Sequence, residues 1–213
     1  MSKLIKIEFN FNYSIYIMLI GICGKLGVGK DFITTHYIIP LLEKMGGKHL
    51  QLAFADQIKV NVMSKRNIAY EDVYENKTTE SRILLQNEGT EERNRIGQNI
   101  WTDYLDNWIK VFKNRSIDHF IISDVRFRNE LNYIKRNNGI LIKIVAPKRN
   151  LKRLMNESNG DQEIMDKISS HRSECDLDTL DDSMFDIVIY NDPGQIINES
   201  DLKTKFSVGG GNV

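Results

Sequence analysis

A glycine-rich stretch near the amino terminus contains the residues whose types and spacing could most directly do chemistry. Residues 24–30 read GKLGVGK, after a continuous apolar run and before apolar residues at helical spacing. The glycines let successive backbone N–H groups converge on anionic oxygens, and the amino terminus of the next helix adds partial positive charge. The pattern G-x-x-x-x-G-K between a strand and a helix predicts a loop that cradles the phosphates of ATP, to which Lys30 adds a full positive charge. The candidate ATP-binding residues of this loop are Gly24, Gly27, Val28, Gly29, Lys30 and Asp31.

Asp31 stands where a phosphate-binding loop usually has serine or threonine. A carboxylate is a hard oxygen ligand, so Asp31 could bind Mg²⁺ directly or through one of its waters. The alternative is structural, because aspartate also caps the amino terminus of a helix well. The metal role is the favoured interpretation.

A second candidate element is an apolar strand that ends in an acidic residue. Residues 120–130 read FIISDVRFRNE, so Asp124 stands at the carboxyl end of a strand and Arg126 follows it. In open parallel sheets, ligands bind beyond the carboxyl ends of the strands, at the point where the strand order reverses. We therefore expect Asp124 to lie beside the phosphates and to help bind Mg²⁺. The candidate catalytic residues are Lys30, Asp124 and Arg126.

Five apolar segments separated by helical patterns must position these residues. The segments are residues 18–23, 49–54, 118–124, 139–145 and 185–190. Strands that alternate with helices predict an α/β fold with a doubly wound parallel sheet and helices on both faces. The period-two pattern of residues 4–11 predicts an edge strand within an N-terminal extension of residues 1–17, and this strand could pair two copies into a homodimer. Residues 207–213 are expected to form a flexible tail.

The composition excludes several classes of function. The chain has 29 Lys and Arg residues and 29 Asp and Glu residues, and this zero net charge argues against binding to a nucleic-acid polymer. The longest apolar run, residues 15–23, is too short to cross a bilayer, so no membrane association is expected. Two cysteines make no disulfide framework, which favours a cytoplasmic protein.

Taken together, the motifs resemble those of the phage and viral deoxynucleoside monophosphate kinases, including the version carried by giant DNA viruses. The more specific matches are the Lys-Asp ending of GKLGVGKD and the segment SDVRFRNE at residues 123–130. The resemblance covers residues 18 to about 191, and the segment before Met18 departs from the family pattern. The weaker matches, which gain weight from their order, are FADQIK (54–59), RILLQNEGTEERNRIGQNIW (82–101), and HRSECDLD with FDIVIYND (171–192).

The resemblance implies a P-loop kinase domain over residues 18–206 that transfers a phosphoryl group from ATP, with Mg²⁺, to a deoxynucleoside 5′-monophosphate. Residues of about 55–115 would form a helical acceptor-binding region, and those of about 147–176 would form a mobile lid or, alternatively, a solvated helix pair. Arg149 and Arg153 share one helix face and are expected to reach the ATP phosphates from this lid. The expected acceptor-binding residues are Lys59, Arg82, Gln86, Arg93, Trp101 and Arg126. For each cation the alternative is a surface salt bridge; Trp101 could also be buried, and Trp108 is expected to be.

Two other classes of function stay open at this point. The first keeps the chemistry but changes the acceptor to phosphomevalonate or a ribonucleotide, because the animal-type phosphomevalonate kinases share the Gly-Lys-Asp ending and the Ser-Asp-x-Arg element. The second is a non-catalytic protein whose binding to a partner is regulated by a nucleotide. A second set of phosphate-binding arginines favours an enzyme, since a pure switch needs no acceptor pocket.

Overall fold

The computed structural model describes residues 17–76 and 78–209, and a five-stranded parallel sheet lies at its centre. The strands are β1 (Met18–Cys23), β2 (His49–Leu52), β3 (His119–Val125), β4 (Ile140–Val145) and β5 (Ile187–Tyr190). Their order across the sheet is β2-β3-β1-β4-β5, and every neighbouring pair is parallel. The chain therefore crosses from one half of the sheet to the other after β3, which places the end of β1 at the reversal of strand order.

The central strand β1 is buried on both faces, as its continuous apolar sequence predicts. Ile20 and Ile22 face one hydrophobic cluster, and Leu19 and Cys23 face another on the opposite side. This alternation follows from the period of two along a strand.

Helices cover both faces of the sheet, and this confirms the doubly wound α/β fold. The helices are α1 (Lys30–Ile33), α2 (Ile39–Met45), α3 (Phe54–Arg66), α4 (Tyr70–Tyr74), α5 (Thr79–Arg95), α6 (Ile100–Lys113), α7 (Arg128–Arg136), α8 (Pro147–Glu157), α9 (Gln162–Ser170), α10 (Arg172–Cys175) and α11 (Glu199–Gly209). On one face the core is completed by α1, α2 and α11, and on the other by α3, α6 and α7. Among the described residues, no helix is long and apolar enough to cross a membrane.

The helix after the glycine-rich loop is interrupted by a π-turn. The α-helical pattern stops at Ile33, runs as a π-helix over Thr34–Ile38, and resumes at Ile39 just before Pro40. Proline lacks the N–H that an α-helix needs, and the π-helix lies directly before the turn that contains Pro40.

Three predicted segments differ from the structure or lie outside it. Strand β2 ends at Leu52, so Phe54 is not its last residue but the first residue of α3. The predicted edge strand at residues 4–11 lies outside the described residues. The last helix continues to Gly209, which is inside the stretch expected to be a tail.

Candidate active site

The glycine-rich loop follows β1 and takes the shape that its glycines permit. Gly27 and Gly29 have φ angles of 74° and 90°, a left-handed conformation in which a side chain is strained. Helix α1 begins directly at Lys30, and no side chain caps its amino terminus. The loop therefore presents backbone N–H groups at a helix amino terminus, which is an arrangement that binds anions.

Asn191, which directly follows the last strand, fixes the backbone of this loop by a hydrogen bond. The side-chain amide of Asn191 donates to the Val28 carbonyl oxygen at 2.8 Å, and Asn191 is buried. A Cβ on Gly29 would come within 2.5 Å of the same amide nitrogen. Only glycine at position 29 allows this approach without a shift of the loop or of Asn191.

Lys30 lies inside the loop with its ammonium group bound to the backbone. Its Nζ donates to the carbonyl oxygens of Gly24 at 2.8 Å and Lys25 at 3.0 Å. Burial, and to a smaller extent the Arg126 guanidinium, lower the pKa of Lys30 to about 8. The Glu174, Asp31 and Asp124 carboxylates act in the opposite direction. The loop thus holds a cation whose charge is only partly compensated by neighbouring carboxylates.

Asp124 stands at a bulge beside the loop. Ile122 pairs with Gly21 and Val125 pairs with Cys23, so two β3 residues face the single β1 residue between these pairs. The Asp124 carboxylate accepts hydrogen bonds from the N–H groups of Phe54 at 2.8 Å and Ala55 at 2.9 Å, at the start of α3. Burial raises the pKa of Asp124 above its ordinary value, although these two hydrogen bonds act in the opposite direction. The strand tip next to the loop is therefore tied to the first helix of the predicted acceptor region.

Arg126 reaches the loop through a shared carboxylate. Its guanidinium pairs with Glu174 of α10, and the other oxygen of Glu174 accepts the Leu26 N–H at 2.8 Å. The structure thus brings together the loop, Lys30, Asp124 and Arg126, as the sequence predicts. It adds Glu174, whose position beside the loop the motif alone did not indicate.

The two predicted lid arginines both lie on α8, close to the loop. A Cβ on Gly27 would come within 2.5 Å of the Arg153 Cβ, so the stem of Arg153 packs against the loop backbone. The Arg149 side chain donates instead to the Asn191 carbonyl oxygen. Arg153 pairs with Glu157, which also accepts from Arg82 of α5 at 3.0 Å. Glu157 therefore joins the predicted lid to the predicted acceptor region.

The remaining predicted acceptor residues that are accessible have separate surroundings. Lys59 donates to Asp56 at 3.0 Å, and its ammonium lies 4.1 Å from the centre of the Tyr74 ring. Gln86 is exposed on α5. The Nε atom of Arg82 is buried and lacks a hydrogen-bond partner among the described residues, while the side chain as a whole is 31% exposed and pairs with Glu157.

The structure corrects the roles of two predicted acceptor residues, Trp101 and Arg93, and the predicted burial of Trp108. Trp101 has no exposed surface, and its indole N–H donates to the Gly89 carbonyl oxygen at 3.0 Å, so it packs α6 against α5. Trp108, which was expected to be buried, is 46% exposed and donates to Gln57. Arg93 is buried and donates to Glu130 at 2.6 Å, so its guanidinium is not directed at an acceptor pocket.

Glu130 fixes the backbone that carries Arg126. Its carboxylate accepts the N–H groups of Arg126 at 2.8 Å and Phe127 at 3.1 Å, in addition to the Arg93 guanidinium. Burial and the Asp124 carboxylate raise the pKa of Glu130 to about 7, while Arg93 lowers it. Arg93 therefore acts through Glu130 to hold the turn after β3.

The capping alternative for Asp31 is wrong, because Gly29 is the N-cap of α1 and Asp31 is an exposed residue of the first turn. Within the described ranges, no group of three or more His, Cys, Asp or Glu side chains could hold a metal ion by itself. Mg²⁺ in kinases is bound through one or two carboxylates together with substrate phosphates, so a closed protein cage is not required. The Asp31 and Asp124 carboxylates both lie close enough to Lys30 to raise its pKa.

A cavity of about 410 Å³ opens beside the loop. Its walls include Gly24 and Lys25 of the loop, Arg126, and Glu174, with apolar residues at the carboxyl end of β4 and at Phe185. This volume lies within the range of about 300–1,000 Å³ that is usual for small-molecule sites. The cavity is therefore large enough for part of a nucleotide-sized ligand.

Three residues of this site were missed in the sequence: Glu174, Glu130 and Asn191. Glu174 lies in the HRSECDLD segment and Glu130 ends SDVRFRNE, so both were inside matched segments without an assigned role. Asn191 directly follows the last strand, and polar residues at the carboxyl ends of parallel strands are a general signal for a site.

The sequence of the chain is similar to that of a protein named as a kinase. No protein-family model matches the chain. A protein of Acanthamoeba polyphaga mimivirus named "Putative deoxynucleotide monophosphate kinase" is 29% identical over 150 residues, which are 61% of this chain and 75% of that protein. This similarity confirms the resemblance predicted from the motifs.

Solved structures of two kinases resemble the chain more distantly. Shikimate kinase from Acinetobacter baumannii is 15% identical with a TM-score of 0.42, over 90% of this chain and 91% of that one. Thymidylate kinase from Candida albicans is 12% identical with a TM-score of 0.35, over 90% of this chain and 89% of that one. These structural similarities are too low to carry an argument about function.

Proposed function

We propose that this protein is an ATP-dependent kinase that phosphorylates a deoxynucleoside 5′-monophosphate to the diphosphate. The observation that carries the proposal is the position of Arg126 and Asp124 beside a lysine-containing phosphate loop at the reversal of the sheet. The similarity to the mimivirus protein supports a nucleotide as the acceptor.

The donor side follows from the loop. Backbone N–H groups, the amino terminus of α1 and the Lys30 ammonium converge on one place, which suits the phosphates of ATP. Arg153 packs against Gly27 and could bring a further positive charge to the same phosphates. Phosphoryl transfer needs mainly this positioning and charge neutralisation.

The acceptor side lies across from the loop. We assign Arg126 to the phosphate of the acceptor, because it directly follows β3, pairs with the carboxylate that also binds the Leu26 N–H of the loop, and is held by a fixed backbone. Arg82 is a second candidate, since its side chain is partly exposed and its carboxylate partner Glu157 also pairs with Arg153. Two candidate phosphate-binding arginines on different elements favour an enzyme that binds two phosphorylated substrates over a non-catalytic protein that binds one nucleotide.

Asp31 and Asp124 would hold Mg²⁺ together with the ATP phosphates. The ion would supply neutralisation of the phosphate charge. Two hydrogen bonds from the start of α3 position the Asp124 carboxylate. Because α3 belongs to the proposed acceptor-binding region, a shift of α3 when the acceptor binds would also move this carboxylate.

Replacing Arg126 with alanine tests the acceptor assignment. A charge-assisted hydrogen bond contributes about 1.5–3 kcal/mol, so we expect the acceptor KM to rise by about tenfold to a hundredfold. The KM for ATP should change by less than about threefold, by the same reasoning, because few donor contacts are removed. The measurement is coupled ADP release with each deoxynucleoside monophosphate, each ribonucleoside monophosphate and phosphomevalonate as acceptors.

Arg128→Ala is the matched control, because Arg128 is an exposed arginine two residues further along the chain. Equal acceptor KM values for Arg126→Ala and Arg128→Ala would remove Arg126 from the acceptor site. No acceptor-dependent ADP release by the folded wild-type protein would refute the kinase proposal. Turnover only with a ribonucleotide or phosphomevalonate would move the proposal to that acceptor.

The lowered pKa of Lys30 predicts a pH dependence of ATP binding. The free protein loses the Lys30 proton as the pH rises through about 8, while bound phosphates raise the pKa of this ammonium again. ATP binding at pH 8.5 should therefore take up protons, and affinity should fall as the pH rises further. Calorimetric titration in two buffers of different ionisation enthalpy measures this uptake. The Lys30→Arg variant stays charged, and an uptake equal to that of the wild type would assign the proton to another group.

A further inference from the structure

The carboxylate of Glu174 lies where the loop and Arg126 face each other. One of its oxygens accepts the Leu26 N–H at 2.8 Å, and the other pairs with the Arg126 guanidinium. The Glu174 side chain is only 10% exposed, so these contacts replace most of its hydration. We call the space between the Leu26 N–H and the Arg126 guanidinium the transfer gap.

The chemistry of the transfer gap suits a phosphoryl group as well as a carboxylate. Both present anionic oxygens, and both accept charge-assisted hydrogen bonds from backbone N–H groups and from arginine. Lys30 lies close by, since the Glu174 carboxylate raises its pKa and the Arg126 guanidinium lowers it. Glu174 therefore compensates a cluster of positive groups that would otherwise attract an external anion.

The segment that carries Glu174 is anchored by contacts other than those of Glu174. Asp178 pairs with Lys25 at 2.7 Å, and Asp176 accepts the Arg128 N–H at 2.9 Å. Rotation of the Glu174 side chain away from the loop would therefore leave both of these contacts, which lie on the carboxyl side of α10, in place. Displacement of one side chain needs no unfolding of the segment.

We propose that Glu174 is a specificity-determining residue whose carboxylate occupies the transfer gap until a phosphoryl group displaces it. This inference rests on the proposed function, because the gap is where a donor phosphate on the loop would meet an acceptor phosphate on Arg126. An anion that fills the gap competes with Glu174, whereas a ligand that ends short of the gap does not. Glu174 thus lowers the affinity for ligands that place a phosphoryl group between the loop and Arg126.

The Glu174→Gln variant tests this assignment by a gain of affinity. Glutamine keeps the shape but loses the charge, so inorganic phosphate, the simplest anion that fits the gap, should bind about tenfold more tightly or better. ADP, whose phosphates end on the loop, should change its Kd by less than about threefold, since it leaves the gap unfilled. The measurement is calorimetric or thermal-shift titration of the full chain without turnover.

Two variants decide between a local contact and a general charge effect. Glu163→Gln removes one negative charge from the exposed face of α9 and should leave the phosphate affinity unchanged. Glu174→Asp keeps the charge but withdraws the carboxylate, and it should also strengthen phosphate binding, which keeps the test valid if Glu174→Gln folds poorly. Unchanged or weaker phosphate binding in both Glu174 variants, or equal gains for phosphate and ADP, would overturn the proposal. Turnover of ATP by the wild type is measured separately, so failure of the kinase function is distinguishable from failure of this inference.

Discussion

Replacing Lys30 with methionine should lower kcat for phosphoryl transfer by about 10²–10³-fold, the usual cost of removing one preorganised charge from a transition state. Lys30 is the cation whose Nζ is held inside the loop by the Gly24 and Lys25 carbonyl oxygens. No other lysine of the loop has this position, since Lys25 is half exposed and pairs with Asp178. The negative charge that develops during transfer would lose its nearest fixed partner.

The same change should have little effect on stability. Two hydrogen bonds of about 0.5–1.5 kcal/mol each are lost, but a charge whose pKa is lowered by burial is removed from the folded state as well. Coupled ADP release and urea denaturation measure the two effects separately, with exposed Lys44→Met of α2 as the control. If kcat of the Lys30→Met variant stays within threefold of the wild-type value, Lys30 does not contribute to catalysis.

The largest expected loss of stability comes from Arg93→Ala. Arg93 and Glu130 form a buried pair, with side chains that are 8% and 2% exposed. Without Arg93 the buried Glu130 must either stay charged without its cation or take up a proton, because Arg93 lowers its pKa. Breaking such a pair typically costs about 3–5 kcal/mol. Glu130 would also hold the Arg126 and Phe127 N–H groups less firmly, so activity should fall together with stability.

Urea denaturation of Arg93→Ala and of Arg95→Ala provides the measurement and its control on one helix. Arg95 is exposed and pairs with Glu92 at the surface, so its loss should leave the unfolding midpoint in place. The double variant Arg93→Ala, Glu130→Gln should lose less unfolding free energy than the two single variants lose together, because it leaves neither partner of the pair buried alone. If the losses of unfolding free energy in the two single variants add up to the loss in the double variant, the two residues are not coupled.

The sheet and the loop could be predicted from the sequence because both have local signals. The apolar segments predicted the five strands to within two residues at every end, and the glycine spacing predicted the loop that follows β1. Asp124 was predicted beside the loop because parallel strands end at the same edge. These inferences need only the periodicity of a strand and the conformational freedom of glycine.

The side-chain partners could not be predicted, because they depend on contacts between distant parts of the chain. Arg93 pairs with a residue 37 positions away and Arg126 with one 48 positions away, so no short pattern reports either pair. Helix α6 carries its large apolar residues on one half of its circumference, and Trp101 and Trp108 both lie on that half. The spacing therefore predicted burial for Trp108 and could not distinguish it from Trp101, although only Trp101 is buried. The rotation of α6 about its axis is set only when it packs against α3, α5 and the sheet.

The bond from Asn191 to Val28 has a consequence for how the protein is made. It joins residues 163 positions apart, and one of them comes after the final strand. A chain still emerging from the ribosome can pair β1 with β3 and β4 before Asn191 is available, because those strands are synthesised earlier. The loop then lacks the amide that fixes it, so nascent chains that end before Asn191 should be unable to retain nucleotide on an affinity resin.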